Sequence, residues 1–90
     1  MIRRHVVVSG LVQGVGYRYL ARKHADRLAV TGWVRNRPDA TVEAEVQGEA
    51  AAVHEMLRRL EAGPPGSHVT GIVVSELDPL DDDEAFRILR

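Results

Sequence analysis

Apolar residues recur along this chain with two different periods, and the switches between them mark its elements. Arg3 to Ser9 is valine-rich, centred on Val6-Val7-Val8 and followed by glycine, which predicts a strand. Tyr17, Leu20, Ala21, His24, Ala25 and Leu28 then recur at steps of three and four, marking one face of a helix that Gly32 closes. Val30 to Asn36 reads as a second strand, and Arg37-Pro38-Asp39-Ala40 as a turn, with proline presetting φ and aspartate supporting the bend. Thr41 to Gln47 alternates, with Val42, Ala44 and Val46 on one side and Glu43, Glu45 and Gln47 on the other, as in a half-buried antiparallel strand. Glu49 to Ala62 carries an apolar stripe of Val53, Met56, Leu57 and Leu60 and stops at Gly63-Pro64-Pro65-Gly66. Val69 to Glu76 is a further strand, and Phe86 to Leu89 a short last one.

The order is β-α-β-β-α-β with a short final strand. Two helices on one face of an antiparallel sheet bury such a pattern best, so the predicted fold is a ferredoxin-like α/β sandwich. The chain has 90 residues, enough for one domain over residues 1–90 with a modest core. Its formal net charge is −1, so it lacks the broad basic field of a nucleic-acid binder. It has no cysteine, which excludes disulfides, thiol catalysis and cysteine-ligated zinc. No apolar run approaches the roughly 20 residues that span a bilayer, so no membrane association is expected. Cytoplasmic localisation and a monomeric state are the expectations.

The richest chemistry lies where the first strand meets the first helix. Ser9-Gly10-Leu11-Val12-Gln13-Gly14-Val15-Gly16-Tyr17-Arg18 places three glycines and an arginine in that join. A helix start leaves unpaired N–H groups, and with the positive end of the helix dipole they favour an anion. Glycines let the backbone curl into a nest that an oxyanion approaches closely. An arginine in the first helical turn opposes the dipole unless an anion sits beside it; Arg18 therefore points to phosphate, whose geometry a guanidinium matches. The loop is no Walker A motif, which ends in Gly-Lys-Ser/Thr.

Gly10-Leu11-Val12-Gln13-Gly14-Val15-Gly16-Tyr17-Arg18 closely resembles the signature loop of the acylphosphatase family, G-x-V-Q-G-V-x-[FY]-R. Gly32-Trp33-Val34-Arg35-Asn36 resembles the family's second signature, G-W-V-[RK]-N, at a suitable distance. Asp39, Val42-Glu43, Gln47-Gly48, Gly63-Pro64 and Phe86-Arg87-Ile88 extend the similarity over essentially the whole chain. The resemblance implies the same ferredoxin-like fold and hydrolysis of acyl phosphates to a carboxylate and inorganic phosphate. It implies that Arg18 and Asn36 are the catalytic residues, and that Gln13, Gly14, Val15, Gly16, Tyr17 and Arg18 form the phosphate-binding loop. The expected ligands are a small-molecule acyl phosphate and inorganic phosphate, as product and inhibitor, with no cofactor and no metal.

That chemistry suits the residues present. A carboxylate leaving group has a conjugate-acid pKa of about 4 and departs without a general acid. What remains is to hold the phosphoryl group, neutralise its oxygens and aim a water in line. The loop N–H groups and Arg18 suit the first two tasks, and Asn36, which both donates and accepts, suits the third. An alternative on the same fold is a non-catalytic anion- or metabolite-binding regulatory module, which would need the nest and Arg18 but not Asn36.

Other conspicuous residues read as structural. His5, His24, His54 and His68 fall on separate elements without metal-binding spacing, and His24 reads as a hydrogen-bonded core or boundary residue. Asp81-Asp82-Asp83-Glu84 lacks the ligand pattern of a calcium loop and is expected to be solvated. Trp33 is expected in the core against the helices. Two departures from the family pattern fall in the turn after Asn36: Ala40 stands where glycine is usual, and Arg37 where small hydroxyl residues are frequent.

Overall fold

A computed structural model of the protein describes all 90 residues. In chain order the elements are β1 (Ile2–Leu11), α1 (Tyr17–Leu28), β2 (Thr31–Asn36), β3 (Val42–Gly48), α2 (Ala50–Ala62), β4 (His68–Leu77) and β5 (Phe86–Ile88). The strands form one sheet in the order β4-β1-β3-β2-β5. β1 to β4 pair antiparallel, whereas β5 runs parallel to β2, so the sheet is mixed rather than wholly antiparallel. The reason lies in the route of the chain. β4 ends beside Arg3 at the foot of β1, and residues 78–85 cross to the other edge. They enter at the foot of β2, where Gly32 N–H donates to the Ala85 carbonyl at 3.0 Å. A strand that starts there must run with β2.

Strand parity divides the side chains. Val6 on β1 faces Ala44 on β3, which faces Val34 on β2, and Val8, Val42 and Asn36 form the next rung on the same side. The valines and alanine of these rungs are buried under the two helices. Val53, Met56 and Leu60 reach down from α2, while Tyr17, Ala21 and Ala25 do so from α1. Two alanines on the α1 face allow its backbone to lie close to the sheet, since helix spacing follows the side chains at the contact. Trp33 has the opposite parity. It lies half-buried on the outer face, with the Arg35 guanidinium 5.5 Å from its ring centroid, and takes no part in the helix-facing core. The expectation of a core tryptophan against the helices is corrected by this alternation.

The outer face is held by ions. Glu43 lies 2.7 Å from Arg35 and 2.6 Å from His5 Nε2. Burial alone would raise the Glu43 pKa, but hydrogen bonds from His5 and Arg35 outweigh it and hold it below the usual value. Arg3 is only 2% exposed and meets Glu45 at 2.8 Å, Gln47 at 3.0 Å and Asp83 at 2.7 Å. Asp83 has a side chain that is 5% exposed, so it departs from the solvated run expected of residues 81–84. A carboxylate withdrawn from water needs a paired cation, and Arg3 is that cation. Gln47 completes the stitch: its amide donates to the Leu80 carbonyl and accepts from the Leu80 N–H, each at 2.7 Å.

α1 ends at Leu28, the last residue of its apolar face, but it is stopped at Ala29 and not at Gly32. Ala29 adopts left-handed geometry at φ 55°, and Val30 N–H returns to the Ala25 carbonyl at 2.9 Å, as in a Schellman stop. Gly32 instead sits inside β2 at φ 131°, where a Cβ would collide with the Glu45 carbonyl oxygen. His24 is half-buried between the helices without a hydrogen bond; burial, then Arg59 and Arg27, lower its pKa.

Candidate active site

The three glycines of the join do different work. Gly10 belongs to β1 at a bulge opposite β4, at φ 119°, where a Cβ would strike the His68 carbonyl oxygen. Gly14 and Gly16 lie in the loop proper at φ 74° and 77°, with open space where a Cβ would be. Their role is conformational: they turn the backbone so that its N–H groups face inward. From Gln13 through Tyr19 no backbone N–H finds an acceptor within the protein, and the first bond of the helix runs from Leu20 N–H to Gly16 at 3.1 Å. The loop therefore presents a run of unused donors at the positive end of α1.

Two side chains fix that loop. Gln13 Nε2 donates to the carbonyls of Arg37 and Thr41, at 2.8 and 2.9 Å, and so ties the loop to the turn after Asn36. Tyr17 is 3% exposed, and its hydroxyl donates to the Leu60 carbonyl near the end of α2. The residue four beyond Leu60 is Pro64, which has no N–H to offer, so Tyr17 supplies the missing donor. Burial raises the Tyr17 pKa well above its ordinary value and keeps the hydroxyl protonated for this bond.

The turn itself is a three-residue hairpin loop. Ala40 N–H donates to the Arg37 carbonyl at 3.2 Å, Arg37 N–H to the Thr41 carbonyl at 2.9 Å, and Ala40 takes φ 72°. Such loops end in a left-handed residue that favours glycine. Ala40 is exposed, so it gains nothing from packing there. Relief of about 1–2 kcal/mol of Cβ strain, less about 0.4–1 kcal/mol for the freer unfolded chain, sets the size of the effect. Ala40→Gly is expected to stabilise the domain by up to about 1 kcal/mol, read as a higher urea midpoint. A lower midpoint would show that the turn bears no strain.

The loop, the end of β2 and the end of β5 enclose a cleft of about 660 Å³, lined by Val12, Gly14, Gly16, Tyr17, Arg18, Tyr19, Asn36, Ile88 and Arg90. Arg18 and Asn36, eighteen positions apart in the chain, thus share one cavity with the glycine nest. Arg18 has no carboxylate partner and makes no hydrogen bond within the protein, unlike Arg3, Arg35 or Arg59. Asn36 Oδ1 is the one buried side-chain oxygen or nitrogen without a hydrogen-bond partner. A buried polar atom left unpaired costs free energy and calls for a functional reason. Of the expected loop residues, Gln13 and Val15 do not line the cleft, and the Gln13 side chain is engaged elsewhere. Their backbone donors remain unused. Tyr19, Ile88 and Arg90 were not anticipated. The inward parity of Phe86 and Ile88 extends to Arg90, but a three-residue strand does not announce that it will pair beside Asn36. No three His, Cys, Asp or Glu side chains gather where they could hold a metal ion.

Comparison with known proteins identifies the family. The acylphosphatase family profile matches residues 4–88. Acylphosphatase from Anaeromyxobacter dehalogenans is 52% identical over 87 residues, 97% of this chain and 94% of the relative. The Chlorobaculum tepidum acylphosphatase is 46% identical over 87 residues, 97% of this chain and 95% of its own. The crystal structure of acylphosphatase from Bacillus subtilis superimposes with a TM-score of 0.95 at 37% identity, covering 100% of both chains. The ferredoxin-like sandwich, the two signature blocks and these relatives lead to one conclusion: the chain belongs to the acylphosphatase family.

Proposed function

We propose that the cleft between the loop and Asn36 is where this protein hydrolyses the carboxyl–phosphate bond of acyl phosphates. The activity is that of the family to which the chain belongs, a hydrolase acting on a mixed anhydride. The assignment of residues rests on one observation: the loop with its unused N–H groups, the unpaired Arg18 and Asn36, whose side-chain oxygen has no partner, all line a single cavity. The phosphoryl oxygens accept from the backbone of residues 13–18 and from the Arg18 guanidinium, which together offset the charge of the transition state. The Asn36 amide, which both donates and accepts, holds the attacking water by hydrogen bonding and aims its lone pair at phosphorus. The bond to the carboxylate oxygen breaks as the water oxygen attacks, and the water proton is lost to solvent. No acid is needed, because the departing carboxylate is weakly basic at neutral pH.

The reading extends to one catalytic domain over residues 1–90, acting as a cytoplasmic monomer with inorganic phosphate as product and inhibitor. The absence of cysteine suits a reducing compartment. The orphaned Asn36 oxygen favours the enzyme over a purely anion-binding module, which has no use for a water-orienting acceptor.

The purified protein is expected to hydrolyse benzoyl phosphate in the presence of a chelator, since the positive charge comes from the loop and Arg18. Simple alkyl phosphate monoesters, whose leaving groups are far more basic, should be poor substrates. Loss of activity on chelation, with recovery on adding magnesium, would overturn the residue assignment.

A further inference from the structure

The two halves of the proposed site lie on different parts of the chain, the donors on the loop of residues 13–18 and Asn36 at the end of β2. One residue reaches both. Gln13 begins the run of unused backbone N–H groups, yet its side chain does not line the cleft and commits its amide hydrogens to the turn after Asn36. Those bonds, to the Arg37 and Thr41 carbonyls at 2.8 and 2.9 Å, fall on the same oxygens that close the hairpin loop. The Arg37 oxygen also accepts from Ala40 N–H at 3.2 Å, and the Thr41 oxygen from Arg37 N–H at 2.9 Å. A carbonyl has two lone pairs and a primary amide two donors, so all of these bonds are satisfied together.

Asn36 and Val42 form the last rung of the β2–β3 ladder, and Arg37 and Thr41 are the next residues on its two sides. Gln13 therefore braces the backbone immediately beyond Asn36. The brace matters because Asn36 Oδ1 has no hydrogen-bond partner within the protein, so its aim depends on the backbone that carries it. That backbone adjoins a turn strained by Ala40 at φ 72°, which gains by relaxing once a brace is lost. Resting on the assignment of Asn36 above, we infer that Gln13 is a positioning residue for the hydrolysis, holding Asn36 in register with the phosphate-binding loop so that the attacking water is aligned. Its effect passes through Asn36 and not through contact with the phosphoryl group. A misplacement of about 1 Å can cost roughly 10²-fold in rate. The backbone hydrogen bonds of the turn remain when Gln13 is lost, so the expected cost is smaller, about tenfold.

The test is a double-mutant cycle on the full chain, with benzoyl phosphate as substrate and inorganic phosphate as inhibitor. Gln13→Met keeps the length of the side chain and removes both donors. It should lower kcat about tenfold and leave phosphate inhibition close to wild type. In the Asn36→Ala background the same change should lower kcat no further, because the group it positions is gone. Gln13→Asn, which withdraws the donors by one methylene, should behave alike and carries the test if Gln13→Met does not fold. A role confined to stability would lower the melting temperature in both backgrounds and leave kcat of the folded protein at the wild-type value, which overturns the inference. A loss of kcat that repeats in the Asn36→Ala background, or a weaker phosphate inhibition, would also overturn it, because Gln13 would then act on the loop itself. If Asn36→Ala alone retains wild-type kcat, what falls is instead the water-orienting assignment on which this inference rests.

Discussion

Asn36→Ala is expected to lower kcat by about 10²–10³-fold, the usual effect of removing one pre-aimed polar group from a transition state, while inorganic phosphate still binds. Arg18→Gln should fail differently. Under the proposed assignment the guanidinium meets the phosphoryl group in the ground state as well as the transition state, so both KM and kcat should suffer and phosphate binding should weaken. Thermal denaturation separates the two. A ligand that binds only the native state raises the melting temperature. Phosphate should therefore protect the Asn36→Ala protein nearly as well as the wild type, and Arg18→Gln much less. Both variants should fold. Arg18 has no partner to abandon, and Asn36 Oδ1 has none to lose. Circular dichroism checks this, because Asn36 ends β2 beside the Ala40 turn. A folded Asn36→Ala protein that turns over benzoyl phosphate at near wild-type rate would remove the water-orienting role.

The placement of these two residues shows where sequence reasoning succeeds. Val42, Ala44 and Val46 alternate so regularly that the buried side of β3 is legible at once, and the core confirms it. The same parity applied to β2 places Val34 and Asn36 on the helix side and Trp33 on the other. For Trp33, bulk and apolarity point to the core while parity points outward, and parity prevails because one flank of a tryptophan is well satisfied by a neighbouring guanidinium. Nothing in the sequence marks the Ala29 stop, because left-handed geometry is ordinarily announced by glycine, and the nearest glycine has another task, a close backbone approach in β2. Asp83 stands in an acidic run whose composition suggests a solvated loop. Its partner Arg3 lies eighty positions away, and only the path of residues 78–85 brings the two together. Arg90 was invisible for a related reason: nothing local tells a three-residue strand which edge it will join. Local pattern thus shows the elements and the position of the loop, whereas contacts made by the last crossing need the folded chain.

Arg3 is the charged residue whose loss should cost the fold most. Its guanidinium reaches Glu45, Gln47 and Asp83 at once from a position 2% exposed to solvent, and it holds the crossing of residues 78–85 against the sheet. Burial alone would lower its pKa, yet the hydrogen bonds to Asp83 and Glu45 raise it, so the cation is favoured in place. Arg3→Met keeps length and apolar contact but strands the Asp83 carboxylate beneath the surface. Breaking a buried pair from one side costs about 3–5 kcal/mol. In a domain of this size, each kcal/mol lowers the melting temperature by about 4–8 °C, so a fall of well over 10 °C is expected by roughly that scaling. Arg35→Met removes a pair whose cation is 47% exposed and should cost at most about 1 kcal/mol. The catalytic rate of the Arg3→Met protein that remains folded should be close to wild type. Arg3 pairs with Gln47, near the foot of the sheet, whereas Asn36 pairs with Val42 at its head, about five strand residues or roughly 17 Å away. If urea denaturation places Arg3→Met within about 1 kcal/mol of wild type, residues 78–85 are not held by this pair.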